Sequence, residues 1–214
     1  MWLRLNKLIK PNGAIVLFGS EPFSSALRMS NIKNYKYDWV WEKSRAVGFP
    51  NAKNKPMNKH EIISIFSKGN CANGCYNRME YNPQGLVEIN KIVNGIKDCN
   101  ADKGGHGFAR PSHKKERIQQ YTNFPNTILK TKNEGNTIHP TQKPVALIEY
   151  LVKTYTNEGE LVLDFTIGSG TTAIACLNTN RNFIGIEKDE GYYKIATDRV
   201  NKRVQELKPL DELF

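Results

Sequence analysis

The residues whose types and spacing suggest chemistry lie in Leu161–Glu187, LVLDFTIGSGTTAIACLNTNRNFIGIE. Leu161-Val162-Leu163 is a short apolar run that reads as a strand buried on both faces, and it stops at Asp164. Gly168-Ser169-Gly170 then turns the chain tightly, and Thr171-Thr172 open a helix of small residues that runs to Leu177. A second apolar strand over 182–186 ends in an acid, Glu187. Strand, glycine turn, helix, strand and acid in this order form the βαβ layout of a nucleotide-type site. The glycines permit positive φ and close approach of backbone to a ligand. An acid at the second strand's end can accept hydrogen bonds from both hydroxyls of a ribose. The glycines alone fit an ordinary tight turn equally well; Asp164 and the spacing of Glu187 favour a site.

The turn is not the G-x-G-x-x-G of a nicotinamide-binding loop. It reads Asp164-Phe165-Thr166-Ile167-Gly168-Ser169-Gly170-Thr171-Thr172, and upstream stands His139-Pro140-Thr141-Gln142-Lys143-Pro144 followed by the amphipathic VALIEYLVKTY. Together these motifs resemble the S-adenosylmethionine-dependent DNA amino-methyltransferases, in the subgroup whose cofactor half follows the catalytic half. The resemblance covers most of the chain and is weakest from Gly69 to Lys132. It implies an α/β fold, a Rossmann-like methyltransferase sheet with an inserted polar target-recognition lobe, and double-stranded DNA as partner. It also implies S-adenosylmethionine as cofactor, bound by His139, Thr141, Lys143, Asp164, Phe165, Thr166, Gly168, Ser169, Gly170, Thr171 and Glu187. His139, Thr141 and Lys143 then sit near the cofactor's amino-acid end. The chemistry agrees, since Lys offers a fixed positive charge for a carboxylate and Thr a hydroxyl.

The elements that must position these residues fall into three stretches. Residues 1–68 read as sheet strands and helices of the methyltransferase domain, 69–132 as the target-recognition lobe, and 133–214 as the cofactor-binding part. In the first, WLRLNKLIK has helical spacing and ends at Pro11-Asn12-Gly13, Ala14–Phe18 is a buried-strand run, and Phe23–Met29 is a helix. Gly19 and Ser20 lie in the loop beyond the strand, where open α/β sheets bind ligands. Tyr37–Trp41 alternates as a strand, and in the resemblance the segment after it is a DNA-facing edge, with Lys43, Arg45, Lys53 and Lys55 as phosphate contacts. Each lysine taken singly fits a solvated surface charge. His60 precedes the last strand of this part, IISIF, with no metal-ligating partner in the sequence nearby.

From Gly69 to Lys132 apolar periodicity weakens, and Arg110, His113, Lys114, Lys115 and Arg117 form a basic cluster expected to touch DNA. Cys71, Cys75 and Cys99 with His106 and His113 match no standard zinc spacing, so no metal is expected. PNTIL returns the chain to the domain as a short strand. The last helix begins at Lys188 and places Tyr192, Tyr193, Ile195, Ala196 and Val200 at core-facing spacing.

Composition sets outer bounds. A chain of 214 residues, 39% hydrophobic, suffices for one α/β domain with an inserted lobe. Lys and Arg total 31 against 21 acids, a net charge of +10 and a pI near 9.4, which fits a polyanionic partner. Four irregularly spaced cysteines give no disulfide framework and fit a reducing, cytoplasmic setting. No apolar run approaches membrane-spanning length, and no signal peptide opens the sequence.

One family feature is missing. Relatives carry Asp-Pro-Pro-Tyr, or a variant with Asn or Ser first, whose polar group holds the target amine while its ring stacks on a flipped base. No doubled proline occurs here, and Asn82-Pro83-Gln84 is the nearest imitation. In the resemblance that motif ends a central strand between the Leu161 and Ala14 strands, just before a helix like Met1–Lys10. The expectation is therefore a chain truncated at its amino end, with no catalytic residue of its own. A separate N-terminal fragment, a gene start set at an internal Met, and a non-catalytic remnant all remain open. So do adenine N6, the preferred target, cytosine N4, and methylation of RNA, protein or a small molecule.

Overall fold

The structure, a computed structural model, describes residues 1–93, 116–132, 138–139 and 141–207. Arg110, Lys114, Lys115, Cys99, His106 and His113 lie outside the described residues. In chain order the elements are α1 (Trp2–Leu8), β1 (Ala14–Gly19), α2 (Phe23–Met29), β2 (Tyr35–Val47), β3 (Asn58–Ser67), β4 (Val87–Val93) and β5 (Arg117–Thr122). There follow β6 (Ile128–Lys130), α3 (Val145–Tyr155), β7 (Leu161–Asp164), α4 (Thr171–Asn178), β8 (Asn182–Gly185) and α5 (Glu190–Leu207).

Two compact units emerge, one built from Met1–Asn82 with Asn126–Phe214 and one from Pro83–Pro125. The recognition lobe expected from the sequence spans 69–132. Residues 69–82 and 126–132 fall in the larger unit, because Met79 and Leu129 pack into its core.

In the larger unit β1, β3, β2 and β6 form one sheet in that order, with β3 antiparallel to both neighbours and β6 parallel to β2. β7 and β8 form a separate parallel pair, with Leu161 opposite Asn182 and Asp164 opposite Gly185. The helix α3 ties the two sheets together. Its Leu147, Leu151 and Tyr155 recur at four-residue spacing, beside Ile148 and Val152, so one broad stripe is apolar. That stripe meets Trp39, Trp41, Ile63 and Ile65 from the four-stranded sheet and Ala175 and Cys176 from α4. Val16 and Phe18 of β1, and Val162 of β7, pack against the same cluster. At the centre Trp39 donates its indole N–H to the Tyr155 hydroxyl at 2.6 Å, and Tyr37 meets the same hydroxyl at 3.0 Å.

Three expectations change. Leu161 and Leu163 are exposed and only Val162 turns to the core, so β7 is not buried on both faces. β1 is half-buried along its whole length rather than fully buried. Tyr193 is 59% exposed, and Tyr192 sets its ring against His139 at 4.3 Å instead of joining the core. Within that helix Ala196 is the buried residue. The resemblance implies a strand between the Leu161 and Ala14 strands. Among the described residues β1 and β7 share no pairing, although Lys10, just before β1, reaches Glu160, just before β7, at 2.5 Å.

Candidate cofactor and nucleic-acid site

The glycine loop is strung between two carboxylates. Asp164 Oδ1 accepts the Thr166 N–H at 3.0 Å and Oδ2 accepts the Thr172 hydroxyl at 2.6 Å, so this acid shapes the loop and fastens it to α4. Glu187, two residues beyond β8, accepts three backbone N–H groups: Gly168 at 2.8 Å on Oε2, then Lys188 at 2.8 Å and Asp189 at 3.0 Å on Oε1. The N–H groups of Asp189 and Gly168, then that of Lys188, hold its carboxyl below the ordinary glutamate value, with the nearby His139 adding a smaller electrostatic pull. An ionised carboxylate with three such donors keeps about one of its roughly four acceptor positions for a further donor.

Two glycines are required by geometry. Gly168 has φ +55° and Gly170 has φ +84°, and a Cβ at Gly170 would stand 3.1 Å from the Cα of Ala196. The loop thus runs close against α5. Ser169 is buried between elements: its hydroxyl donates to Gln142 Oε1 at 3.0 Å, and Arg199 donates to its carbonyl at 2.6 Å. Thr171 is buried as well, while Phe165 and Thr166 face solvent.

The His139–Lys143 segment lies against this loop. The His139 ring is 3.7 Å from where a Gly168 Cβ would be, and its Nδ1 lies 3.1 Å from the Thr141 N–H and 3.0 Å from the Thr141 hydroxyl. Lys143 turns the other way. Its Nζ is 2.8 Å from Glu61 Oε1 and lies over the rings of Phe18 at 5.0 Å and Trp41 at 5.7 Å. Lys43 completes the cluster, 3.1 Å from Glu61 Oε2 and 5.3 Å from the Trp41 ring. So Lys43, expected at phosphates, and Lys143, expected at a carboxylate, share one half-buried glutamate. Arg45, Lys53 and Lys55 are exposed, and Arg117 is exposed in the smaller unit.

Sequence reasoning missed Glu61, Gln142 and Arg199. Glu61 carried a signal, standing beside His60 at a strand start, but a bridge between two distant lysines leaves no local pattern. Arg199 extends the Tyr192, Ile195, Ala196 stripe by one turn, the spacing that points it at the loop. Among the described residues no cluster of His, Cys, Asp and Glu could hold a metal ion. A surface concavity lined by Gly159, Leu177, Arg181 and Val204 lies at the start of β7 and β8, the opposite end from the glycine loop, and contains none of the residues above.

Comparison with known proteins gives the family and the fold. The type II methyltransferase M.HindIII of Haemophilus influenzae is 42% identical over 85 residues, 39% of this chain and 28% of that protein. M.HpaI of Haemophilus parainfluenzae is 39% identical over 80 residues, 37% of this chain and 26% of that one. The matched stretches span about a quarter of those two relatives' own lengths. Among solved structures, the M1.HpyAVI-SAM complex superposes with TM-score 0.59 and 27% identity, over 92% of this chain and 80% of that one. The cytosine-N4-specific PvuII DNA methyltransferase shares the fold, with TM-score 0.60 at 16% identity, over 96% of this chain and 75% of that one. The fold is that of the S-adenosylmethionine-dependent methyltransferases, and the DNA methylase profile of the N6/N4 type matches residues 1–198. The chain belongs to the N6/N4 family of DNA methylases.

Proposed function

We propose that this chain binds S-adenosylmethionine and duplex DNA as part of an enzyme that methylates an exocyclic base amine, adenine N6 in preference to cytosine N4. The observation that carries the reading is the loop 165–170 bonded to both Asp164 and Glu187 and lying against His139. These residues fit the nucleoside end of the cofactor. Glu187 stays ionised and, with three N–H groups already on it, keeps about one of its roughly four acceptor positions for a ribose hydroxyl, while Gly168 and Gly170 keep the backbone open to close approach. The amino-acid end fits less directly, since Lys143 is held by Glu61 and Thr141 is the exposed donor. When bound, the cofactor supplies an electrophilic methyl group on a sulfonium. The chain's own residues bind and orient: Glu187 and the loop amides fix the nucleoside, and Arg199 with Gln142 keeps Ser169 from moving. Orientation of this kind is most of what transfer to a weakly nucleophilic amine needs.

A second reading, binding without catalysis, rests on the absence of any doubled proline in the sequence and of any β1–β7 pairing among the described residues. Titration calorimetry with S-adenosylmethionine, combined with tritiated-methyl transfer to duplex DNA, separates the readings. Transfer, with 6-methyladenine or 4-methylcytosine identified by nucleoside mass spectrometry, supports the enzyme and names its base. Binding without transfer supports the second reading. Absence of binding removes both, and competition by structured RNA redirects the substrate.

A further inference from the structure

The smaller unit contains a two-stranded antiparallel ribbon, β4 with β5, whose two faces differ in chemistry. Register sets Glu88 opposite Tyr121, Lys91 opposite Gln119 and Val93 opposite Arg117, and residues directly opposite in such a pair share a face. That face therefore carries Lys91, Arg117, Gln119, Tyr121 and Glu88, with Val93 at its end beside Arg117. The other carries Val87, Ile92, Ile118 and Thr122, with Gln120 between the last two. A bulge between Glu88 and Lys91, with Asn90 at φ +44°, sharpens the local twist of the ribbon.

Resting on the DNA-binding reading above, we infer that the polar face of this ribbon enters the major groove of duplex DNA, with Arg117 and Gln119 reading base edges and Lys91 contacting phosphate. Three observations support this. Arg117 and Gln119 are two residues apart on one strand, a separation of about 6.8 Å along it, which matches two base-pair steps of about 3.4 Å. A two-stranded ribbon fits the major groove, where arginine pairs with guanine and glutamine with adenine. Lys91 and Arg117 are exposed and have no carboxylate partner among the described residues. The Gln119 amide donates one N–H to the Tyr121 carbonyl at 3.1 Å, which orients the side chain and leaves its oxygen and second N–H for a base. Residues 83–125 also hold seven Lys and Arg against four Asp and Glu, a surplus suited to a polyanion.

The test uses the full chain, a random-duplex selection to obtain its preferred sequence, and fluorescence anisotropy over a salt series, with circular dichroism on every variant. Gln119→Glu and Arg117→Ala are expected to narrow the preference for the selected duplex over a scrambled one about tenfold. Lys91→Ala is expected to weaken both duplexes alike and flatten the salt slope by about 1. Thr122→Ala, on the opposite face, should match the unaltered chain. If the first three variants retain the original preference and slope, the ribbon assignment fails while DNA binding stands. If Thr122→Ala alone loses the preference, the reading face is wrong. If the unaltered chain binds no duplex, the DNA reading itself falls, and the ribbon assignment with it.

Discussion

The Glu187 carboxylate accepts the Gly168 N–H at 2.8 Å, so the acid that follows β8 also closes the loop that follows β7. An acid at the end of one strand and a glycine turn after another are readily regarded as two separate features. Here they are one hydrogen-bonded unit, and Asp164 braces its other side through Thr166 and Thr172. The loop's conformation therefore depends on both charges before any ligand arrives.

Glu187→Gln should loosen the loop at neutral pH, because an amide presents one acceptor oxygen where the carboxylate presents two. Since the folded carboxyl titrates below its ordinary value, the contribution is complete above the ordinary glutamate range. It is lost as pH falls through the lowered folded value. Urea midpoints and S-adenosylmethionine affinity of the two proteins are expected to differ at pH 7 and to converge on acidification. Parallel curves from pH 7 to pH 3 would contradict this.

Gly170→Ala combines two penalties. Alanine at φ +84° costs about 1–3 kcal/mol, and its Cβ would press on the backbone of Ala196, which cannot move without shifting α5. Gly159 is the comparison, with φ +77° and nothing within 4 Å of its Cβ position. Gly159→Ala should show the backbone cost alone. Chemical denaturation that finds the two variants equally destabilised would deny the close approach of α4 and α5.

Much of this was legible in the sequence, and for local reasons. Asp164, the glycines and Glu187 follow one another at βαβ spacing, and the helix 145–155 declares itself by its stripe. What was not legible depends on partners far apart in the chain. Lys43 and Lys143 look like free cations until β3 brings Glu61 between them. Leu161 and Leu163 look like core because an apolar run carries no record of which face is covered. Tyr193 stands at a helical spacing that fits the core, yet Ala196 alone is buried on α5 because that helix meets the glycine loop along a narrow line.

Glu61→Ala leaves two ammonium groups facing each other around the Trp41 ring, so the loss exceeds that of one salt bridge. A destabilisation of about 1–3 kcal/mol is expected, in keeping with removal of a half-buried charged acceptor. Pairing Glu61→Gln with Lys143→Met in a double-mutant cycle should give a non-zero coupling energy by denaturation. Additive effects would mean that the cluster is a surface accident and does not fasten residues 141–143 to the sheet.

Cys176 provides a reporter for the whole loop. Burial pushes its thiol up to about 12; partial burial also raises the thiol of Cys71, but that residue is exposed. Alkylation at pH 8 followed by peptide mapping should modify Cys71 well before Cys176, since reaction requires access as well as the thiolate and Cys71 alone of the two is exposed. Cys176 lies on α4, the helix that Gly170 caps and Asp164 holds through Thr172. Its slow labelling therefore measures how often α4 lifts from α3. A ligand that binds only the closed loop must reduce that opening by a factor of 1 + [L]/Kd, about tenfold at ten times Kd. S-adenosylmethionine is expected to slow labelling of Cys176 by that factor and leave Cys71 unchanged. Equal rates with and without it would place the cofactor away from the Asp164–Glu187 loop.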